Sequence, residues 1–459
     1  MNDMKNVMNR IWTWVMLSVF TFPLSVFVSC QQEEFLPQET SALRFVVGDF
    51  PAFGESGPTR AIGTPDEGKT AWENGDQIIV TLTSQKYGEQ AVALTYDGSS
   101  WSTEASLSYL ENETPSVSVF YAPCYEVTEE GVMQLRSGMQ LGMTEYLSGN
   151  YEIENGIMTI TFEGAIRDYS RLRIAGLANQ TLTVTTTDFT PAGPEGSTAP
   201  ESYTLTTDEK GNAYLYGTFA EGATVNVKKG DVTLTDYTFT FTTELIQSYA
   251  LDARPVIDGT LGGKTEAEES DIRALMDIIK NYVANGITTL IVTGSEPAIK
   301  DMGSWTNTAI GEAIYRLSGD GTYSEHNQYN GKIDLILQDV TEIVVQEFFD
   351  AYALNSINLP KVIKIGDEAF HRTWFLKTIT FESVLTEVNE TYEVMFAQVG
   401  KEVGGCDLIL NCGQMNENSV PAPDLTANTW KFKFVNEFKS ITLTHTGENS
   451  ECDECRANQ

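Results

Sequence analysis

The chain has 459 residues but only three histidines and six cysteines, and its 29 Lys and Arg stand against 64 Asp and Glu. A formal charge of −35 repels a phosphate backbone, which excludes nucleic acid as a partner. The histidines, His326, His371 and His445, have no Cys, Asp or second His at metal-ligand spacing. No HExxH, GxSxG, phosphate-loop or dinucleotide fingerprint is present, so neither a cofactor nor an enzymatic activity is expected. Apart from Cys30, the cysteines are Cys124, Cys406, Cys412, Cys452 and Cys455, an odd number too scattered for a disulfide framework. Cys452 and Cys455 form a CxxC in a polar tail with no second pair, which reads as a local disulfide or an idle tail rather than a zinc or redox site. Acidic pairs such as Glu111/Glu113 and Glu266/Glu268/Glu269 fall on a polar turn and a helix start, where solvation and the helix dipole account for them better than glycosidase chemistry. What is present is an ordinary globular balance, 41% hydrophobic and 20% charged, which excludes bulk disorder. The length fits two to four domains, because single cores rarely grow beyond about 300 residues.

The first thirty residues carry a distinct message. Lys5 and Arg10 precede a charge-free apolar run from Ile11 to Val28, then Ser29-Cys30 and the acidic Gln31-Gln32-Glu33-Glu34. Residues 1–29 read as a signal peptide. A single transmembrane helix is the alternative, and Pro23 and the terminal cysteine argue against it. The stretch resembles a bacterial lipobox, with Phe27 in place of the usual Leu. That resemblance implies acylation at Cys30 and a lipid anchor in the outer membrane. The acidic residues after Cys30 resemble the export signal of lipoproteins displayed on the cell surface.

Residues 30–42 read as a tether. From about residue 43 to 258 the pattern becomes short alternating runs bounded by Gly, Asp, Asn and Pro, among them Gln77–Leu82, Val117–Tyr121, Met158–Phe162, Leu182–Thr185, Thr224–Val227 and Tyr237–Phe241. Period-two runs at such intervals predict antiparallel β-sandwiches, here one over 43–165 and another over 166–258. Asp97-Gly98 predicts a hairpin turn. The ordered motifs Thr59-Arg60-Ala61, Trp72-Glu73-Asn74-Gly75-Asp76, Trp101 and Phe120-Tyr121-Ala122-Pro123 resemble the fimbrillin-like (Mfa-like) region of surface lipoproteins. That resemblance implies cleavage near Arg60, freeing a groove for a strand from the next subunit.

Past Gly259 the texture changes. Ile272, Leu275, Met276, Ile278, Ile279, Tyr282 and Val283 keep helical spacing over 266–284, with acids at the start and Gly286 beyond the end. Then a 22-residue grid appears: Leu335/Ile357/Ile379, Leu337/Leu359/Phe381, Val340/Val362/Val384, Ile343/Ile365 and Phe348/Phe370. That period, with one short strand per unit, predicts a leucine-rich repeat over 264–445, followed by a polar tail at 446–459. Leu354 to Phe370 resembles the BspA-like repeat. The expected fold is mainly β with some α: two fimbrillin-like sandwiches, then a short, degenerate leucine-rich-repeat solenoid capped by the 266–284 helix.

Exposed aromatic residues are favoured anchors in recognition, and the repeat half offers Trp305, Tyr315, Tyr323, Tyr329, Trp374 and Trp430. Trp374, Tyr352 and Trp305 are the candidate ligand contacts, with core packing as the competing reading. The expected role is adhesion to, or recognition of, a host or bacterial surface protein or glycan. Its rival is an accessory or tip subunit of a fimbria, joined to other fimbrial subunits by strand exchange after cleavage near Arg60. A glycan-directed enzyme is a third class, whose carboxylates only a fold could bring together.

Overall fold

Alternation in Gln77–Ser84 turns Ile78, Val80 and Leu82 to one side, and all three are fully buried. The computed structural model that contains this strand describes residues 43–51, 69–110, 112–162, 167–294, 296–299, 306–319, 321–388, 394–415 and 425–444. The expectations placed on Cys30, Arg60, Trp305, His445, Cys452 and Cys455 lie outside the described residues. The protein is mainly β, with two α-helices among the described residues.

Among the described residues, seven strands build the main sheet of the first unit, in the order 44–47, 157–161, 147–154, 116–121, 77–84, 88–96, 101–102. Pairing is antiparallel except at the edge, where Arg44–Val47 runs parallel to Ile157–Thr161. The two edge strands touch, so the sheet curls around its own core of Ile78, Val80, Leu94, Val119, Met158 and Phe162. The Asp97-Gly98 turn joins Tyr96 to its partner Trp101, with Gly98 at φ 93°. The Asp97 carboxylate accepts the amides of Ser99 and Ser100, which holds its pKa well below the usual carboxylate range.

Two four-stranded sheets face each other in the second unit, one ordered 189–191, 213–219, 170–175, 248–252 and the other 203–206, 181–186, 224–229, 232–238. Their inner faces interlock through Leu172, Ile174, Leu215 and Phe219 from one sheet and Leu182, Val184, Val225 and Val227 from the other. A buried ion pair secures the junction between the units: Arg167 Nε lies 2.8 Å from Glu145 Oε2, and Tyr169 donates to the same oxygen at 3.1 Å. Arg167 also donates to the Pro51 carbonyl at 2.6 Å, which ties the chain's entry to that junction.

The third unit is a seven-stranded, wholly parallel sheet whose strands run in chain order: 256–258, 289–293, 333–337, 354–359, 378–381, 407–411, 440–444. The sequence reading ended the second sandwich at 258, but Val256–Asp258 pairs with Thr289–Thr293 and begins this sheet. The 22-residue spacing reappears as register, since Leu335 faces Ile357 and Ile357 faces Ile379. Ile343 and Ile365 pair in a second, three-stranded parallel sheet. Phe348, Phe370 and Phe396 stack in file, with centroids 5.6 and 5.4 Å apart. The helix expected over 266–284 is α1, Glu269–Ala284, with Ile272, Leu275 and Ile279 facing the core. It starts three residues late because Glu266–Ala267 pairs instead with Ala298–Ile299. A second helix, α2 (Ala309–Leu317), was not read from the sequence: it is nine residues long and eight of them are buried. No helix among the described residues is long and apolar enough to cross a membrane.

Truncating Phe370, fully buried in the middle of the ring file, should show how far the stacked core is shared. Phe370→Ala is expected to cost about 3–5 kcal/mol, measured by urea unfolding and reported by Trp430 and Trp374 in the same unit. A loss below about 1 kcal/mol would contradict a shared core.

Candidate functional site

Three successive coils of the third unit turn sharply on the way to their next strands, and the turns stack. Asp350, Arg372 and Gln398 occupy equivalent places and share a left-handed backbone, at φ 55°, 64° and 64°. The stacking is bonded: the Asp350 amide donates to His371 O at 3.1 Å and the Arg372 amide to Ala397 O at 2.9 Å. Two residues further on stand Tyr352 and Trp374, which the 22-residue spacing places one above the other, with ring centroids 5.0 Å apart. Tyr323, from the loop after α2, closes on both rings at 5.7 and 5.0 Å. The result is an aromatic ledge along the turn edge of the parallel sheet.

Charged groups fix the ledge from both sides. Asp350 Oδ1 accepts the Tyr352 hydroxyl at 2.9 Å and lies 3.0 Å from Arg372 Nε. Arg372 also donates to the Tyr352 oxygen at 3.1 Å and sets its guanidinium 5.5 Å from the Trp374 centroid. Burial pushes the Asp350 pKa up, opposed by the Tyr352 hydrogen bond and the Arg372 charge. Burial also raises the Tyr352 phenol, and the Asp350 carboxylate adds to the shift. On the outer side, the exposed Lys401 ammonium sits 4.3 Å from the Trp374 centroid, and Trp374 Nε1 donates to Gln398 Oε1 at 3.2 Å.

Trp374 is half-buried at the ledge, with part of its ring open to solvent. Tyr352 needs correction as a ligand contact: it is completely buried beneath Trp374, with its hydroxyl turned to Asp350, so it supports the ledge without reaching a ligand. Trp305 lies outside the described residues. The sequence reading missed Arg372 and Lys401. A signal for Arg372 existed, because Asp350 and Arg372 are opposite charges 22 residues apart on the same grid. Nothing local marked Lys401, which reaches Trp374 from the next, irregular coil.

The ledge offers aromatic area and hydrogen-bonding groups. His371, beside it, turns its ring against Phe349 at 5.4 Å, and burial lowers its pKa. A separate cleft of about 420 Å³ opens between the first two units, lined by Tyr121, Met139, Met143, Leu205, Tyr214 and Tyr216 among others. Among the described residues, no group of three or more His, Cys, Asp or Glu gathers to hold a metal.

No family model matches the chain, and neither does any curated protein. Two solved structures show a faint likeness. A proposed cell adhesion protein from Bacteroides fragilis aligns at a TM-score of 0.27 and 11% identity, over 46% of this chain and 92% of its own. The fimbrial anchor protein Mfa2 from Porphyromonas gingivalis aligns at 0.19 and 10% identity, over 38% of this chain and 78% of its own. At such scores neither likeness bears on what this chain does.

Removing Arg372 would leave Asp350, 2% exposed, without its cation. Arg372→Met is expected to lower stability at pH 7 by about 1–3 kcal/mol. The sign with pH follows from the raised Asp350 pKa: protonation relieves the stranded charge, so the deficit should shrink towards pH 4 and grow towards pH 7. Urea unfolding at both pH values checks it, and an equal deficit at the two would contradict the ion pair's role.

Proposed function

We propose that the chain is a lipoprotein anchored through Cys30 and displayed at the bacterial surface, where it recognises a host or bacterial protein or glycan. On this reading the first two units form a fimbrillin-like stalk, and the third is a BspA-like leucine-rich-repeat solenoid that carries the binding surface. The observation that carries the reading is the Trp374 ledge, where a half-exposed indole is held rigid by Tyr323, Tyr352 and the Asp350–Arg372 pair. Recognition surfaces concentrate their energy in such aromatic anchors, whose few rotatable bonds cost little entropy to fix. The flanking Lys401 and Gln398 supply polar contacts of the kind that set orientation.

The test is binding by the chain from residue 31 onwards against matrix proteins and a glycan array. For any ligand found, Trp374→Ala should weaken binding at least tenfold, by about 1.4 kcal/mol or more, with the circular dichroism unchanged. Undiminished binding by a folded Trp374→Ala protein would remove the ledge from the reading.

One observation favours the second reading, a fimbrial subunit joined by strand exchange. Arg44–Val47 is an edge strand held by a four-residue parallel pairing, and it lies upstream of Arg60. Cleavage near Arg60 would separate it covalently from the sheet it completes and leave Ile157–Thr161 with an open edge. Protein cut at Arg60 should then form ladders that survive mild detergent, and an Arg60→Ala protein exposed to the same protease should stay monomeric.

A further inference from the structure

Where α2 begins, two glutamates from distant parts of the chain, neither ion-paired among the described residues, lie against the same turn: Glu296 at the Ile310 amide and Glu347 against Gly311. Glu296 lies in the segment after the strand Thr289–Thr293, and Glu347 in the turn of the first full coil. Glu347 is 1% exposed, and its Oε2 accepts the Val344 amide at 2.8 Å. Glu296 Oε2 accepts the Ile310 amide, in the first turn of α2, at 3.3 Å. The other oxygen of each, Glu296 Oε1 and Glu347 Oε1, is sealed from solvent and has no hydrogen-bond partner. Thr308, the N-cap of α2, stands beside both carboxyls, and its own oxygen accepts the Gly311 amide at 3.1 Å. The approach is tight: a Cβ on Gly311 would come within 2.2 Å of the Glu347 carbonyl oxygen.

The charges on the surrounding elements are already committed. On α2, Glu312 accepts from Thr306 and pairs with Arg316 at 2.7 Å, and Arg316 also reaches Glu269 on α1. On the coil side, Glu342 pairs with Lys364 at 3.0 Å, Lys364 also faces Glu387 at 3.8 Å, and Gln346 donates to Glu368 at 2.5 Å. Asp367, 6% exposed, accepts the Glu368 amide on Oδ1 at 3.1 Å and the Gln346 amide on its backbone carbonyl. No ion pair to Glu296 or Glu347 exists among the described residues. A hard cation fits poorly here, because calcium takes about six to eight oxygens, whereas the groups aimed at this pair are N–H donors and the positive end of α2.

We propose that Glu296 and Glu347 share a proton, and that this proton clamps the α2 segment onto the first full coil of the parallel sheet. One carboxyl donates to the facing carboxylate, which satisfies both orphan oxygens at once. Losing the proton leaves two buried negative charges in contact, and the segment loosens. Burial raises the Glu296 pKa to about 7 and that of Glu347 well above 4.5, with Glu296 the second cause for Glu347. Both folded values exceed the unfolded ones, so the fold holds more protons than the open chain. The clamp is complete below about pH 4.5 and weakens as pH rises through 7 and beyond. The chain is therefore held more firmly at this point in mildly acidic surroundings.

The experiment compares the soluble chain with its Glu296→Gln and Glu347→Gln variants from pH 5 to pH 8.5. Each amide can donate to the remaining carboxylate at any pH, so the difference in Tm between wild type and variant should shift by about 5 °C across the range, with the wild type losing ground as pH rises. Hydrogen exchange, corrected for its intrinsic pH dependence, should show residues 306–317 opening in the wild type at high pH while the second unit's strands stay protected. Should a Gln variant fail to fold, the wild-type exchange profile decides alone. A flat Tm difference, or exchange in 306–317 indifferent to pH, overturns the proposal. So does a Tm at pH 8 that rises with millimolar CaCl₂ and falls again with EDTA, which would assign the pair to a cation.

Discussion

A parallel strand cannot reach its neighbour through a tight turn, so each step of the third unit's sheet needs a full coil of chain to return to the same edge. That constraint governs the rest of the C-terminal half. It fixes the period, because a coil of 22 residues brings Leu335, Ile357 and Ile379 into one row. It sets a second row of turns in the three coils after strands 333–337, 354–359 and 378–381, where Ile343 meets Ile365 and Phe348 meets Phe370. It also stacks the sharp turns, which is why Tyr352 underlies Trp374 and Asp350 faces Arg372. The ledge is thus a by-product of the same repetition that builds the core. When the spacing lengthens after Phe381, strand 407–411 still finds its register, and the extra residues carry Lys401 onto the Trp374 ring.

Buried charge is handled in two ways. Glu145 meets Arg167 and Tyr169 at the junction of the first two units, so a desolvated carboxylate has a cation and a hydroxyl. Asp350 is served likewise by Arg372 and Tyr352. Glu296 and Glu347 have backbone amides and the Thr308 side chain but no cation among the described residues, a poorer arrangement, and it sits where a helix end must be docked against a coil from elsewhere in the chain. The contrast separates pairs that stabilise at neutral pH from one that answers to pH.

Much of this architecture is written in the sequence because its periods are local. Alternation in Gln77–Ser84 and the Asp97-Gly98 turn are set by neighbouring residues, and both appear in the fold. The 22-residue grid is long-range, yet legible, since repetition shows itself without knowledge of the fold. Helix α2 was not legible: Ala309–Leu317 spans only nine residues, eight of them buried, and its single Glu312–Arg316 polar pair is too short a signal to mark a helix. Strand Val256–Asp258 is three residues long and off the grid, so only its partner identifies it. Trp374 could be singled out as an aromatic in a variable repeat position, but its neighbours Tyr323 and Lys401 come from irregular segments at distances no spacing rule predicts. Tyr352 shows the limit of reading by residue type: the grid fixed its row, and only packing decided that it lies beneath.

The chain order of the strands has a mechanical side. In the parallel sheet each inner strand pairs only with the strands before and after it, so tension on the final strand, Ser440–Thr444, is borne first by its single partner, Asp407–Asn411. Coils would peel away one at a time, each releasing a length of chain at modest force. In the second unit the terminal strands Ser170–Ala175 and Ser248–Asp252 lie side by side and parallel, so tension on the unit's two ends shears all their hydrogen bonds together. A pull across the whole molecule would therefore spend its extension in the C-terminal coils before it threatened the sandwich.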